Sequence, residues 1–447
     1  MNKFATIAIS IITAILPLSA SDISGSWRGN LSMGSLSIPL VLNFSESESG
    51  DTKCTLDSPQ QNVKGMPMTV NYISADSVAV SSSIIGAVFS GHIEQQRISG
   101  EFKQRGYTLS LNLTPEEPLT VRRPQTPQPP FPYTSVDTTF VSTDDTELAG
   151  TIVLPENFSE TTPIVVMVTG SGPQNRDEEI FEHKPFAVLA DALARAGIAS
   201  LRYDDRGVNK SDGFFEDATI DVLKNDAESA LHFARKLTGG KAGILGHSEG
   251  GSIALLLAAD KKPDFIISLA GVATSGKETM LEQNRHLMEV LNMGEVETSQ
   301  SMPLIEAVFD EIESQVRHND ESEIDVVAMA DSLGLEVPEI VMSSLVRYLS
   351  QRNVTFDQLV VLDVRSRLGG VKCPVLALNG TLDKQVNAES NLSAIEENIP
   401  SAEVHKLDGL NHLLQHAESG EMSEYADIRE TISPEAIELI IQFIKKL

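Results

Sequence analysis

Ala242-Gly243-Ile244-Leu245-Gly246-His247-Ser248-Glu249-Gly250-Gly251-Ser252-Ile253-Ala254-Leu255-Leu256-Leu257-Ala258-Ala259 is the stretch whose reading decides the fold. A short apolar run suited to a buried strand enters Gly-x-Ser-x-Gly and leaves as a good helix. A strand-to-helix turn this tight brings its flanking residues so close that only glycine fits at 246 and 250. Ser248 is then held strained and outward as a nucleophile, and the Glu249 backbone N–H lies where an oxyanion forms. Glycine and serine are common, so the pattern alone is weak. The strand before it and the helix after it make it specific.

A serine hydroxyl needs a base to take its proton, and the order expected along such a chain is Ser, then Asp or Glu, then His. Pro374-Val375-Leu376-Ala377-Leu378-Asn379-Gly380 reads as a strand, with Asp383 just past its glycine. Asp383 is therefore the expected carboxylate; the alternative is a turn aspartate capping a helix that begins near Ala388. Ala402 to Leu407 reads as the final strand, and the loop Asp408-Gly409-Leu410-Asn411-His412 offers His412 as the base. His405 lies inside that strand and reads as a packing or edge residue. His416, four positions after His412, has no third ligand at a recognisable metal spacing. His247 reads as a residue that shapes the elbow. Thr169-Gly170-Ser171-Gly172-Pro173-Gln174 follows another apolar run, and the Ser171 N–H is the candidate second oxyanion donor. That loop lacks a Walker lysine or a dinucleotide fingerprint. Neither a metal nor an organic cofactor is expected. Arg176-Asp177-Glu178 and Tyr203-Asp204-Asp205-Arg206-Gly207 carry charges expected to pair and lock loops around the site.

Outward from the elbow, apolar runs at Ile164–Val168, Ile198–Tyr203, Phe265–Ala270 and Pro374–Leu378 alternate with amphipathic stretches such as Pro185–Ala196 and Val222–Leu237. This predicts an α/β fold with a mostly parallel sheet covered on both faces, over residues 134–447. About a hundred residues between Ala270 and Pro374 break the rhythm and read as helices, so a helical cap is expected at about 273–370. Residues 21–121 alternate with period two between turn residues and predict a small all-β domain. The proline-rich residues 122–133 read as a semi-rigid linker.

Lys3 followed by an uncharged run from Phe4 to Ala20 reads as a signal peptide over residues 1–20, cleaved after Ala20 or Ser21. The expected product is exported, periplasmic or extracellular, with no stable membrane insertion after cleavage. Across 447 residues, 34 Lys+Arg against 63 Asp+Glu give a net charge of −29, which repels phosphate backbones and argues against nucleic acid as a partner. The two cysteines, Cys54 and Cys373, fall in different expected domains and read as free buried thiols.

Taken with the elbow, the motifs Gly170-Ser171-Gly172-Pro173-Gln174-Asn175-Arg176-Asp177, His183-Lys184-Pro185-Phe186, Tyr203-Asp204-Asp205-Arg206-Gly207 and Gly380-Thr381-Leu382-Asp383 resemble the α/β-hydrolase superfamily. More narrowly they resemble exported bacterial serine esterases of the EstD type, serine aminopeptidase-like hydrolases. Asn175 stands where that group usually has Asp, and Asn209 where it usually has Gly. The resemblance implies a carboxylic ester hydrolase with a small-molecule ester substrate, acting through Ser248, Asp383 and His412. Two other readings stand beside it. An aminopeptidase or acyl-peptide hydrolase would use the same residues, with cap acids such as Glu278, Glu282 or Glu289 gripping a free N-terminus. Alternatively, the β-rich domain binds glycans or cell wall, with Trp27 and Tyr107 as a platform.

Overall fold

The computed structural model describes residues 23–33, 36–47, 52–58, 63–94, 96–104, 106–115, 123–216 and 218–447. The expected signal peptide and its cleavage position lie outside them. The chain divides into two compact units after Thr120.

The first unit is a closed eight-stranded antiparallel barrel, β1 (Gly25–Met33), β2 (Leu36–Glu46), β3 (Thr52–Ser58), β4 (Val63–Ile73), β5 (Ser77–Ser82), β6 (Ala87–Glu94), β7 (Arg97–Gln104) and β8 (Tyr107–Pro115). Strands follow one another in space as in sequence, and β1 closes the ring on β8 through Trp27–Pro115 and Arg28–Thr114. Inward residues fill the interior: Leu42, Val80, Phe89, Ile98, Leu111 and Leu113 are fully buried. Small barrels close without leaving sheet edges, which suits strands this short. Trp27 belongs to that core, its Nε1–H donating to the Ile23 carbonyl at 2.8 Å. The expected aromatic platform therefore loses Trp27, because an indole inside a barrel offers no face to a ligand; Tyr107 is exposed.

The second unit carries an eight-stranded sheet of β9 (Thr134–Val141), β10 (Glu147–Leu154), β11 (Ile164–Val168), β12 (Ala199–Tyr203), β13 (Ala242–His247), β14 (Ile266–Leu269), β15 (Val375–Gly380) and β16 (Glu403–Leu407), in the order β16-β15-β14-β13-β11-β12-β10-β9. The six strands β11 to β16 run parallel, and the β9–β10 hairpin joins antiparallel through β12. β11, β12, β13, β14 and β15 are buried along their whole length, as a sheet covered on both faces requires. One layer packs α2 (Ile220–Leu237), α3 (Glu249–Ala259) and α9 (Ala388–Asn398) on the sheet; the other packs α1 (Pro185–Arg195) and α10 (Pro434–Lys446). This is the α/β-hydrolase sheet, with one strand exchange, β11 for β12, beside the central strand that leads into Ser248.

Between β14 and β15 lie five helices, α4 (Gly276–Val290), α5 (Glu295–His318), α6 (Val326–Leu333), α7 (Glu339–Ser350) and α8 (Val354–Val361). They bury a core of their own around Leu304, Val308, Phe309, Ile312 and Leu345. Within the acidic stretch from Asp310 to Asp331, Asp310 pairs with Lys277, and Asp325 caps α6 by accepting the N–H groups of Val327 and Ala328. Of the proline-rich stretch, the described part from Arg123 onward is fastened to this unit. Arg123 donates to the carbonyls of Phe181, Ala426 and Ile428, and Gln125 to that of Ile432. Cys54 and Cys373 are both free.

Candidate active site

The elbow is built on two close approaches. A Cβ on Gly246 would lie 1.9 Å from the Gly250 carbonyl oxygen, and one on Gly250 would lie 2.1 Å from that of Val168. Between them Ser248 takes φ 52° and ψ −118°, a strained backbone held by the strand behind it and the helix ahead. Glu249 opens α3, where a helix leaves its N–H groups without intrahelical partners.

The loop after β11 passes beside the serine: a Cβ on Gly170 would lie 3.3 Å from the Ser248 Cβ. The Gly170 N–H donates to Glu178 Oε1 at 2.8 Å, whereas the next N–H, that of Ser171, has no partner among the described residues. Ser171 Oγ donates to Glu249 Oε2 at 3.3 Å. Burial pushes the Glu249 carboxyl up to about 7, with that hydroxyl acting the other way.

Asp383 lies past β15 and divides its oxygens. Oδ1 accepts the N–H groups of Gln385 (2.8 Å) and Val386 (2.9 Å), and Oδ2 meets His412 Nδ1 at 2.8 Å with both side chains buried. The turn-capping role and the histidine-holding role, set against each other in the sequence, coexist in one carboxylate. Asn387, not Asp383, caps α9. Ser171, Ser248, Glu249 and His412 all line one cavity of about 390 Å³. From the cap, Met280, Phe356, Leu359 and Leu362 line it together with Thr279 and Gln283, and Val272 and Leu413 line it as well.

The charged loops pair as expected. Arg176 holds Asp204 (2.6 Å), Arg202 holds Asp177, and Arg206 holds Asp226 (2.7 Å) and Asp144 (3.0 Å). Asp205 accepts from Thr169 Oγ1 and the Gln174 N–H, which ties the loop after β12 to the loop after β11. Asn175 Oδ1 caps the turn at Asp177, and Asn209 Nδ2 reaches Asp204; both departures from the family pattern serve loop structure, and neither lines the cavity. Of the cap acids, Glu278 pairs with Arg365, Glu282 accepts from Ser390, Glu289 lies beside His286, and none lines the cavity. His405 pairs with Glu403 and His416 with Glu430. No cluster of three or more His, Cys, Asp or Glu among the described residues is arranged to hold a metal ion, and no described helix is long and apolar enough to cross a membrane.

One feature of the site escapes sequence reading. Glu178 Oε1 accepts from Gly170 and also meets His247 Nδ1 at 2.9 Å, while His247 Nε2 meets the His412 carbonyl oxygen at 2.9 Å. The partners are 69 and 165 residues apart in sequence, and Glu178 sits at positive φ in a loop with no periodicity to mark it. The place of His247 in the Gly246-His247-Ser248 tripeptide is the sole local signal.

Two buried histidines shape stability in opposite directions. Burial alone would lower His247, but the Glu178 charge and hydrogen bond lift it to about 9. Burial, with Arg123 nearby, pushes His183 down to about 4. A raised histidine contributes stability that is complete below its unfolded pKa of about 6.5 and is lost as pH climbs through the folded value. A depressed one contributes above about 6.5 and loses as pH falls. Between about pH 6.5 and 9 the melting temperature of the second unit is expected to fall as His247 gives up its proton. Below about 6.5 the loss from His183 runs against a gain from Glu249, whose raised carboxyl favours the folded state as pH falls through about 7. Helical circular dichroism melts between pH 4 and 9 check this, and His183→Gln should remove the loss on the acid side.

Residues 144–414 match the family X-Pro dipeptidyl-peptidase (S15 family). Over 148 residues the chain is 34% identical to esterase EstD of Thermotoga maritima, covering 32% of this chain and 35% of that protein. Over 107 residues it is 32% identical to the human mitochondrial palmitoyl-protein thioesterase ABHD10, covering 24% and 34%. The chain thus spans about a third of the length of these relatives. The Pyrococcus furiosus esterase Pf2001 superposes with a TM-score of 0.42 at 14% identity, over 70% of this chain and 91% of that one.

Proposed function

The chain belongs to the X-Pro dipeptidyl-peptidase (S15) family, and we propose that it is a serine hydrolase, exported and cleaving carboxylic esters. Ser248 Oγ attacks the acyl carbon as His412 Nε2 takes its proton. Asp383 holds Nδ1–H and so fixes the tautomer that leaves Nε2 basic. The N–H groups of Ser171 and Glu249 receive the oxyanion, His412 returns the proton to the leaving alcohol, and water activated by the same base resolves the acyl-enzyme. No step calls on a metal or organic cofactor.

The observation that supports an ester over a peptide is the cavity wall. A substrate with a free N-terminus needs a carboxylate waiting for its ammonium, and the cap turns Met280, Phe356, Leu359 and Leu362 to the cavity instead of Glu278, Glu282 or Glu289. Of the acids that do line it, Glu178 is engaged by His247 and Gly170, and Glu249 is the one a peptidase reading would have to use. An apolar wall in a cavity of about 390 Å³ suits an acyl chain longer than acetyl.

The test is a panel of p-nitrophenyl acetate, butyrate and octanoate beside aminoacyl p-nitroanilides. Each methylene buried against the wall is worth about 0.8 kcal/mol, roughly four-fold in kcat/KM, so butyrate, with two more, is expected to exceed acetate by about fifteen-fold. Anilides are expected to stay uncleaved. Turnover of anilides above that of esters would move the assignment to an aminopeptidase. Export is checked by the N-terminal residue of the secreted protein, expected at Ser21 or Asp22.

A further inference from the structure

Glu178, His247 and the His412 carbonyl form a second buried relay that the acyl-transfer reading does not use. It touches each part of that machinery at, or one residue away from, the residues that react. Glu178 Oε1 binds the N–H of Gly170, the neighbour of the oxyanion donor Ser171; His247 precedes the nucleophile; and the His412 carbonyl belongs to the base itself. Hydrogen positions follow from the partners. A carbonyl oxygen only accepts, so His247 Nε2 carries a hydrogen. Glu178 Oε1 already accepts from Gly170, so it meets His247 Nδ1 as an acceptor and that nitrogen carries a hydrogen too.

We propose that His247 is a positioning residue, held as an imidazolium by Glu178, whose two N–H groups clamp the oxyanion loop and the His412 loop onto the nucleophile elbow. This rests on the reading of Ser248, Asp383 and His412 as the catalytic set. The charged and titratable groups facing the ring are Glu178 on one side and His412, backed by Asp383, on the other, with the His247 and His412 rings 4.8 Å apart between centroids. One further wall is apolar, from Pro185, Phe186, Leu189, Leu269 and Leu413, and Glu178 and His247 also line the cavity that holds Ser248. Buried and with one carboxylate in contact, the imidazolium persists to about pH 9. Above that, the neutral ring keeps its one hydrogen on Nδ1, toward the carboxylate, so a bare Nε2 faces the His412 carbonyl lone pair to lone pair and the clamp opens on the side of the base.

The experiment compares His247→Asn, His247→Gln, Glu178→Gln and, as control, Ser248→Ala in the full chain, measuring kcat and KM for p-nitrophenyl butyrate across pH 5 to 10 together with melting temperature. Asn loses the reach to the His412 carbonyl, and a displacement of about 1 Å in the base is worth roughly 10- to 100-fold, so kcat should fall by that factor with KM within about two-fold. Gln keeps a donor at the position of Nε2 and is expected to recover most of the loss. Wild type should show an alkaline limb near pH 9 that His247→Gln and Glu178→Gln both lack. The proposal is overturned if His247→Asn and Glu178→Gln keep wild-type kcat and the alkaline limb while Ser248→Ala is inactive. It is equally overturned if every variant loses activity only in step with its melting temperature and Gln gives no rescue. Turnover surviving in Ser248→Ala would instead remove the catalytic set, and this inference with it.

Discussion

Asp383→Asn is expected to lower kcat by about three to four orders of magnitude while leaving the melting temperature within a few degrees. The separation of the two effects comes from how the carboxylate is divided. Oδ1 accepts the N–H groups of Gln385 and Val386, which an asparagine carbonyl oxygen can also do, so the turn after β15 survives. The amide nitrogen then replaces Oδ2, 2.8 Å from His412 Nδ1, and presents a donor where an acceptor stood. His412 answers by turning Nδ1 into an acceptor and carrying its proton on Nε2, the nitrogen that must be bare to take the proton of Ser248. Asp383→Ala loses both functions and should also melt earlier, since the buried Val386 N–H is left unpaired at about 1 to 3 kcal/mol and the half-buried Gln385 N–H loses its partner too. Steady-state rates with p-nitrophenyl butyrate and helical circular dichroism melts measure both quantities. The single tryptophan, Trp27, sits in the barrel, so its fluorescence does not follow the unit concerned. A kcat for the asparagine variant within ten-fold of wild type would take Asp383 out of the mechanism.

What could be read from sequence divides along contact range. The elbow is local: a strand, a turn and a helix within about twenty residues, where sterics admit glycine and nothing else at two positions. The buried strands are legible for a similar reason, because a strand covered on both faces must be apolar throughout, and Ile164–Val168 emerges with the bounds its sequence suggests. β9 is harder to read, since it exposes most of its residues and carries little apolar signal. The cap helices follow from periodicity, yet periodicity marks only which face is apolar. It does not distinguish residues buried in the cap core, such as Leu304 and Phe309, from those that line the cavity, such as Met280 and Phe356. Pairings such as Glu178 with His247 depend on the sheet bringing loops together across many intervening residues, and no local pattern encodes them.

Gly246→Ala is expected to be the most damaging small substitution in the second unit, costing about 4 kcal/mol or more. Its Cβ would stand 1.9 Å from the Gly250 carbonyl oxygen and 2.5 Å from the Gly251 backbone nitrogen, and these are backbone atoms of the first turn of α3, which no rotamer change moves aside. Relief requires α3 to lift from the sheet. But α3 is buried on nearly every side, and Gly250 is itself pressed against the Val168 and Thr169 carbonyls at the mouth of the neighbouring loop. Lifting the helix would therefore uncover apolar surface and separate Ser248 from the Ser171 loop together. Gly172→Ala is the matched comparison: φ there is 85°, so alanine is strained, but nothing lies within 4 Å of its Cβ, and the cost should stay near 1 kcal/mol. Unfolding in urea followed by circular dichroism, with fluorophosphonate labelling of Ser248 in whatever remains folded, tests the pair. If Gly246→Ala were no less stable than Gly172→Ala and labelled at the wild-type rate, the elbow would not be the tight turn on which the nucleophile depends. The strain at Ser248 would then have to be held by something other than those two glycines.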